Sequence, residues 1–396
     1  MRIGMILDKT FPPDPRVENE AVALVGAGHQ VFLFCLKYDD NQLDFEIVNG
    51  VQVCRYTSNQ FEYKLSALAY TISLYTRKMS RKIEHFIESQ KIEVLHIHDI
   101  RIAQATLKAN KKYQLKTILD LHDNLPEVMK FYPHLQKFPG KYIISPQKWK
   151  KKEEEFIQQA DKIITVSQEF IEEVVRRTKI SDDKILLVPN TVRKSFYEEA
   201  VIDPLIIEKY KDNFVILYLG DTHLRRGLQT AIESIPVLIK TIPNIKFVIV
   251  GTNTTDVVLK QDVKKLGIEE YVDFEGWKNV LLFPSYIKAS HICISPLHRS
   301  IQHDVAYANK LFQYMSFGKP LLVSNAIAQK KLIERIDAGL VHIEKDVKDF
   351  SEKVILLAKN EELRLQKGEN GQRFLKEEFV WEQTSKNLLE MYKKLK

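Results

Sequence analysis

Short apolar runs alternate with longer amphipathic stretches along this chain, and the alternation starts twice. The runs at 2–7, 31–36, 93–97, 117–121, 162–166 and 185–188 are rich in Val, Ile and Leu. Their length and β-branching predict strands buried on both faces, as in a parallel sheet. Between them, apolar residues recur at helical spacing over 16–27, 63–89, 102–111, 148–159 and 169–178, and Gly28 stops the first of these. The rhythm then restarts. Strands are predicted at 214–219, 246–250, 272–274, 292–295 and 320–323, and helices at 228–238, 255–266, 310–317, 329–335 and 348–358. Each series is the pattern of a doubly wound α/β sheet. Two in succession predict two Rossmann-like domains facing across a cleft, with ligands outside the C-terminal ends of the strands. The 396 residues suit two domains of ordinary size. The polar stretch 193–213, which carries Asp203-Pro204, is the expected hinge, dividing 1–197 from 198–380. The tail from 361 reads as helical, with a break at Trp381.

Composition excludes several classes. At 44% hydrophobic and 28% charged residues, the chain can bury a core and is not generally disordered. Cys35, Cys54 and Cys293 are few, odd in number and far apart. Neither a disulfide framework nor a cysteine-ligated zinc fits them, and a reducing compartment is expected. The apolar run at the start meets Asp8 and Lys9 at once, unlike a signal peptide, and no stretch approaches the ~18 apolar residues of a membrane span. A soluble or membrane-peripheral protein is expected. The net charge of +7 permits an anionic partner without demanding one.

The segment Asn309-Lys310-Leu311-Phe312-Gln313-Tyr314-Met315-Ser316-Phe317-Gly318-Lys319-Pro320 places a polar pair at a helix start, a Gly stop and a Pro before a strand. The helix N-terminus and Lys310 together suit a phosphate, and Gln313 falls one turn on. Asp120-Leu121-His122-Asp123-Asn124 follows a predicted strand, so His122 is placed at the cleft edge, where an imidazole can bond a ligand hydroxyl, assist a proton transfer or simply cap neighbouring backbone. His96 and His98 share a strand face, but no carboxylate or Cys has fitting spacing, so no metal is expected. His98 and Asp99 are held as candidate ligand-binding residues. Two stretches, 63–87 with Arg77, Lys78, Arg81 and Lys82, and 131–152 with Tyr132, Phe138, Tyr142, Trp149 and Lys150-Lys151-Lys152, interleave aromatic and basic residues. They suit an anionic membrane surface as well as they suit an ordinary solvated face. Nucleic acid is not expected, because no recognised binding motif is present.

The segment from Asn309 resembles the donor-binding signature of retaining GT-B glycosyltransferases of the GT4 type. Further matches span nearly the whole chain. Phe11-Pro12-Pro13-Asp14-Pro15-Arg16-Val17-Glu18-Asn19-Glu20 resembles the family's opening loop and first helix. Ala160–Ser167 and Val188-Pro189-Asn190 resemble its approach between domains, and Gly220 with Arg226-Gly227-Leu228 its diphosphate-binding turn. The resemblance implies a GT-B fold with an acceptor-binding first domain and a donor-binding second domain. It implies that a last helix, 381–396, crosses back to the first. It implies transfer of a sugar from a nucleotide-diphosphate sugar to a glycan or lipid-linked acceptor, with retention and with no cofactor or metal. Donor binding then falls to Gly220, Arg225, Arg226, Asn309, Lys310, Leu311, Gln313 and Asn190. Acceptor binding falls to Asp14, Arg16, His98, Asp99 and Asp123, and catalysis to His122, Arg226 and Lys310. Surface-polysaccharide assembly in the cytoplasm, at the inner face of the cytoplasmic membrane, is the implied setting. The chain also departs from the pattern. Val305 and Gln313 stand where relatives often carry two glutamates, and Asp221 where they often carry arginine. These departures motivate an alternative, a degenerate member that binds a nucleotide-sugar or glycan as a partner subunit. An oxidoreductase is disfavoured, since Asp8-Lys9-Thr10 follows the first strand in place of a Gly-x-Gly-x-x-Gly turn.

Overall fold

The computed structural model describes residues 1–132, 135, 137–138 and 140–395. It contains two compact units, one of residues 1–189 with 385–396 and one of 190–384. The sequence pattern put the division at 197/198.

The first unit is built on eight strands: β1 (Arg2–Ile6), β2 (Gln30–Lys37), β3 (Phe45–Val48), β4 (Val51–Thr57), β5 (Val94–His98), β6 (Lys116–Asp120), β7 (Lys162–Thr165) and β8 (Ile185–Leu187). Their order is β3-β4-β2-β1-β5-β6-β7-β8. All neighbours pair in parallel except β3 and β4. The strand order reverses between β1 and β5, so the ends of these two strands flank the position where such sheets hold ligands. Asp8 follows β1 and Asp99 follows β5.

The apolar-run pattern contains neither β3 nor β4. They form a hairpin whose turn is Asn49-Gly50, with φ of 51° and 81°. Two left-handed residues in succession match the right-handed twist of the flanking strands, and Asn-Gly is the pair that adopts them at least cost. The stretch 63–89 is two helices, Gln60–Ser66 and Leu74–Gln90, and not one. Asn59 starts the first by accepting from the Glu62 N–H at 2.9 Å.

The second unit has six parallel strands: β9 (Phe214–Leu219), β10 (Ile245–Val250), β11 (Val272–Gly276), β12 (Ile292–Ser295), β13 (Leu321–Ser324) and β14 (Gly339–His342). Their order is β11-β10-β9-β12-β13-β14, which reverses between β9 and β12. β14, absent from the sequence pattern, closes one edge on β13. Alternate side chains of the sheet feed two cores. Leu217, Leu219, Val248 and Val250 pack with the helix Lys310–Ser316 on one face. Ile216, Tyr218, Phe247 and Ile249 pack with the helices Leu228–Leu238 and Val347–Lys359 on the other. Each fully buried Leu, Ile or Phe contributes about 1.5–3 kcal/mol of transfer free energy, so these faces set the strand register.

The tail is helical over Glu361–Phe374, widens to one π-type turn at Leu375–Phe379, and resumes as Trp381–Lys394. The break falls at Val380, whose backbone is extended, and Trp381 opens the last helix. Tyr392 of that helix is buried in the first unit, with its hydroxyl 2.9 Å from His96 Nδ1.

The turn at Gly50 gives a direct check. A Cβ there would add a left-handed side chain and meet Val25 Cγ1 at 2.9 Å. Gly50→Ala is expected to destabilise the first unit by roughly 1–2 kcal/mol, seen as a lower urea midpoint. An unchanged midpoint would show that the turn has another geometry.

Candidate active site

In the second unit, the loop after β9 brings together the first group of predicted residues. Gly220 adopts φ +113°, and Lys310 Nζ lies 3.5 Å from the position its Cβ would occupy. Gly227, with φ +76°, ends the turn Leu224–Arg226. A Cβ on Gly227 would stand 1.8 Å from Pro296 O, so only glycine lets this loop lie against the chain leaving β12. Both loops therefore meet at the switch point between β9 and β12. Arg226 Nε donates to Asp221 Oδ2 at 3.1 Å, and Asp221 Oδ1 accepts from Asn253 Nδ2 at 2.7 Å. Burial raises the Asp221 pKa, but Arg226, Asn253 and the His223 N–H outweigh it and hold the carboxylate below its usual range. Arg225 Nη1 donates to Gln302 Oε1 at 2.5 Å.

Lys310 opens a helix of seven residues, so charge on its side chain counts for more than the short helix's dipole. Its Nζ sits 3.4 Å from the centroid of the Tyr218 ring. Burial, with Arg226 nearby, pushes the ammonium well below the ordinary lysine range. The site thus gathers two arginines and a partly desolvated lysine whose charge burial disfavours, with Asp221 facing Arg226. An incoming diphosphate would relieve the repulsion. Gln313 lies one turn along the same helix and is partly buried, and Asn309 precedes the helix and is exposed. Leu311 needs correction as a donor contact. Its side chain is in the core and its N–H bonds Ala308 O at 2.9 Å, so neither is directed at a ligand. Asn190 begins the second unit directly after Pro189. Val305 is 7% exposed, so the departure from glutamate there is an apolar side chain packed inward.

In the first unit, side chains from four elements meet at the C-terminal ends of β5 and β6. Asp14 caps the helix Pro15–Gly26 by accepting from the Val17 N–H at 3.2 Å. That cap sets the first turn, and the first turn aims Arg16 inward. Arg16 grips Asp120 with two bonds, Nε to Oδ2 at 2.9 Å and Nη2 to Oδ1 at 2.6 Å. It also reaches Val188 O at 2.9 Å and Glu20 Oε1 at 3.0 Å. His122 Nε2 lies 2.8 Å from Asp120 Oδ2, and its Nδ1 3.6 Å from Asp99 Oδ2. His98 Nδ1 lies 3.0 Å from His122 Nε2 and 3.3 Å from Asp120 Oδ2. Lys9 Nζ approaches Asp99 at 3.8 Å.

The charge states follow from these contacts. Burial opposes charge on His122, but Asp99 and Asp120 outweigh it and raise the imidazole to about 9. His122 is therefore an imidazolium at neutral pH, a hydrogen-bond donor and not a base. His96 and His98 are pushed the other way by burial and stay neutral. Burial raises Glu20 to about 8, with Asp120 adding repulsion. Asp120, facing Arg16 and His122, is held well below the carboxylate range despite burial.

Three sequence expectations change here. Arg16 and His98 are buried and held by the network, so they position Asp120 and His122 and do not face an acceptor. Spacing offered His96 and His98 no carboxylate, yet Glu20 and Asp120 reach them through the fold, with all four potential ligand atoms within 4.8 Å of one another. Arg16 already supplies the cation to both carboxylates there. Of the predicted acceptor residues, Asp99 is partly exposed and Asp123 exposed, and Asp99 adopts φ +66°, a strained value for a residue with a side chain. Several residues of these sites escaped notice in the sequence: Asp221 as the partner of Arg226, Gln302 as the partner of Arg225, and Asn253. No local motif marks them: Gln302 and Asn253 come from other loops that the sheet order makes neighbours, and Asp221, five residues before Arg226, meets it through the turn of their shared loop.

Comparison with known proteins agrees with this architecture. Residues 16–196 match the model for Glycosyltransferase Family 4, and residues 203–374 the model for Glycosyl transferases group 1. The two matches take in most of both units, and the chain belongs to the GT-B glycosyltransferases of the family 4 type. The capsular polysaccharide biosynthesis glycosyltransferase CapM of Staphylococcus aureus is 21% identical over 243 residues, 57% of this chain and 60% of CapM. The chain thus spans less than two thirds of that relative. Among solved structures, the sucrose-phosphate synthase of Thermosynechococcus elongatus matches 100% of this chain and 98% of its own, with a TM-score of 0.80 at 16% identity. Anabaena HepE in complex with UDP-glucose matches 100% of both chains, with a TM-score of 0.73 at 13% identity.

The network predicts a pH dependence of stability. The His122 pKa lies near 9 in the fold against about 6.5 unfolded, so its contribution is complete below 6.5 and lost as pH rises through 9. That contribution is on the order of 3 kcal/mol. Glu20, raised from 4.5 to about 8, adds to the loss as pH rises toward 8, because over that range the unfolded chain has released a proton that the fold still holds. The melting temperature is expected to fall between pH 7 and 9.5, and less steeply in His122→Gln. A flat profile in the wild type would contradict the assigned charge states.

Proposed function

We propose that this chain transfers a sugar from a nucleotide-diphosphate sugar to a hydroxyl of a glycan or lipid-linked acceptor, with retention at the anomeric carbon. The observation that carries this reading is the meeting of Arg226 and Lys310 beside Gly220 at the end of β9. In this reading the leaving diphosphate is held by Arg226, Arg225 and Lys310, which take the charge-neutralising role of a metal ion. The bond from the anomeric carbon to the diphosphate oxygen breaks as the acceptor oxygen bonds to the same face, and the acceptor proton passes to the diphosphate. Gln313 serves the nucleotide ribose as a neutral hydrogen-bonding group. In the first unit, Asp99, Asp123 and the His122 imidazolium serve the acceptor. Donation from His122 Nδ1 is the catalytic role its charge state allows.

The presence of UDP-glucose in HepE makes that sugar nucleotide the first donor to try. CapM's role in capsular polysaccharide biosynthesis supports surface-polysaccharide assembly as the setting. No helix among the described residues is long and apolar enough to cross a membrane. A cytoplasmic protein, held peripherally where lipid-linked acceptors are exposed, fits the proposal.

Arg226→Ala is expected to weaken UDP binding by at least about tenfold, the loss of one charge-assisted contact, by calorimetry. A bound diphosphate is expected to favour the charged form of Lys310 that burial and Arg226 disfavour, so UDP binding is expected to draw in a proton over the pH range in which Lys310 of the free protein titrates. Titration in two buffers of different ionisation enthalpy reads that proton. Unchanged UDP affinity in Arg226→Ala would remove Arg226 from the donor site. Donor binding with no turnover, across UDP-, GDP- and ADP-sugars and with acceptor present, would favour the degenerate partner that Val305 and Gln313 motivate.

A further inference from the structure

The first unit holds a cavity of about 680 Å³ that the glycosyl-transfer reading leaves unassigned. Its wall is formed by Leu68, Leu125, Met129, Leu135, Ile144 and Trp149, with few polar groups. It draws on both of the aromatic and basic stretches noted in the sequence. Its place in the fold matters. Arg101 lies in the wall two residues after Asp99, and Leu125 three residues after His122, so the cavity opens beside the polar strand ends already described.

The surroundings are unusual for a monomer's surface. Tyr63 and Ile143 of the lining are exposed, and Phe138 and Tyr142 next to it are 85% and 77% exposed. Lys64 of the lining and the neighbouring Lys137, Lys141 and Lys148 are exposed too. By contrast, much of the basic charge the sequence offered to a membrane is taken up within the unit. Lys78 and Lys82 pair with Glu62, Lys150 with Glu127 and Glu173, and Lys152 with Glu155. The exposed charge on the 137–148 edge of the cavity and at Lys64 is therefore positive, and Phe138, Tyr142 and Ile143 stand exposed among these lysines, while Asp123 is exposed two residues before Leu125.

A cavity of this size matches a small-molecule ligand. A sugar would need convergent hydrogen-bonding groups, and this wall is mainly hydrocarbon and aromatic carbon. We infer that the cavity takes the hydrocarbon chain of an amphiphile with an anionic head group, the head lying toward the exposed lysines at its edge, since Arg101 already faces Asp8 at 3.5 Å. The inference rests on the reading of the first unit as acceptor-binding, and it narrows the acceptor class to a lipid-linked phosphate or diphosphate over a free glycan. An apolar chain gains free energy with each methylene buried, and the cationic rim selects the sign of the head.

The test uses the full chain without any donor, so it is independent of turnover. 11-(Dansylamino)undecanoic acid, an anionic probe with an eleven-carbon chain, is titrated while its fluorescence is followed. Saturable one-to-one binding is expected, displaced by dodecyl phosphate and at least tenfold less well by dodecyltrimethylammonium or maltose. Ala67→Trp, which fills the cavity from its lining, is expected to weaken the probe at least tenfold while UDP affinity is unchanged. Ile143→Asp at the exposed edge is the second variant, chosen because an exposed site tolerates the change, and it is expected to weaken the probe in the same direction. Absence of saturable binding, wild-type probe affinity in both variants, or displacement by maltose as good as by dodecyl phosphate would overturn the inference. Loss of UDP binding in the wild-type chain would instead count against the glycosyl-transfer reading.

Discussion

The first unit depends on one buried cation. Arg16 places a guanidinium against Asp120 and Glu20 where almost no water reaches. Removing such a charge from water costs several kcal/mol, and removing two carboxylates costs more. The arrangement is tolerable because the bidentate bond to Asp120 is well formed and because Glu20 keeps its proton near neutral pH. Once Asp120 is fixed as an anion, the imidazoles sort themselves. His122, close to both Asp120 and Asp99, gains a proton, while His96 and His98, buried deeper, lose theirs. Seven titratable side chains thus take different charge states within one small volume, and of these only His122 and Asp99 retain a partly open face.

The second unit solves a different electrostatic problem. Its positive groups are less deeply paired, and Asp221 stands among them. Asp221 ties Arg226 to the loop after β9 and is itself held by Asn253 from the loop after β10. Pre-positioning of this kind reduces the ordering a ligand must bring about. Lys310 is held in a state that disfavours its own charge, so an anion gains more from meeting it than it would from a solvated lysine.

Much of the architecture is legible in the sequence because buried parallel strands must be short, apolar and β-branched. The elements that were not legible are those with other rules. β3 and β4 are seen through their Asn49-Gly50 turn and not through apolar length, and β14 runs from Gly339 to His342 with only Leu340 and Val341 apolar between them. The sites divide in the same way. Gly220, Arg226, Lys310 and His122 stand in local motifs, so the loops that present them could be named. Arg16 and His98 lie in equally visible motifs, yet their side chains turn inward because Asp120, 104 residues from Arg16, meets them there. Leu311 was misread for a simpler reason: an apolar residue one position after a candidate ligand on a helix faces the core.

The charge on His122 is the most direct test of this account, since it follows from Arg16, Asp120 and Asp99 acting together. Ring nitrogen and carbon shifts of His122 can be followed by NMR across pH 5.5 to 10, assigned against His122→Gln. The account predicts a ring protonated on both nitrogens at pH 7, titrating near 9. A ring that is neutral at pH 7, or that titrates at or below the ordinary value of about 6.5, would contradict it.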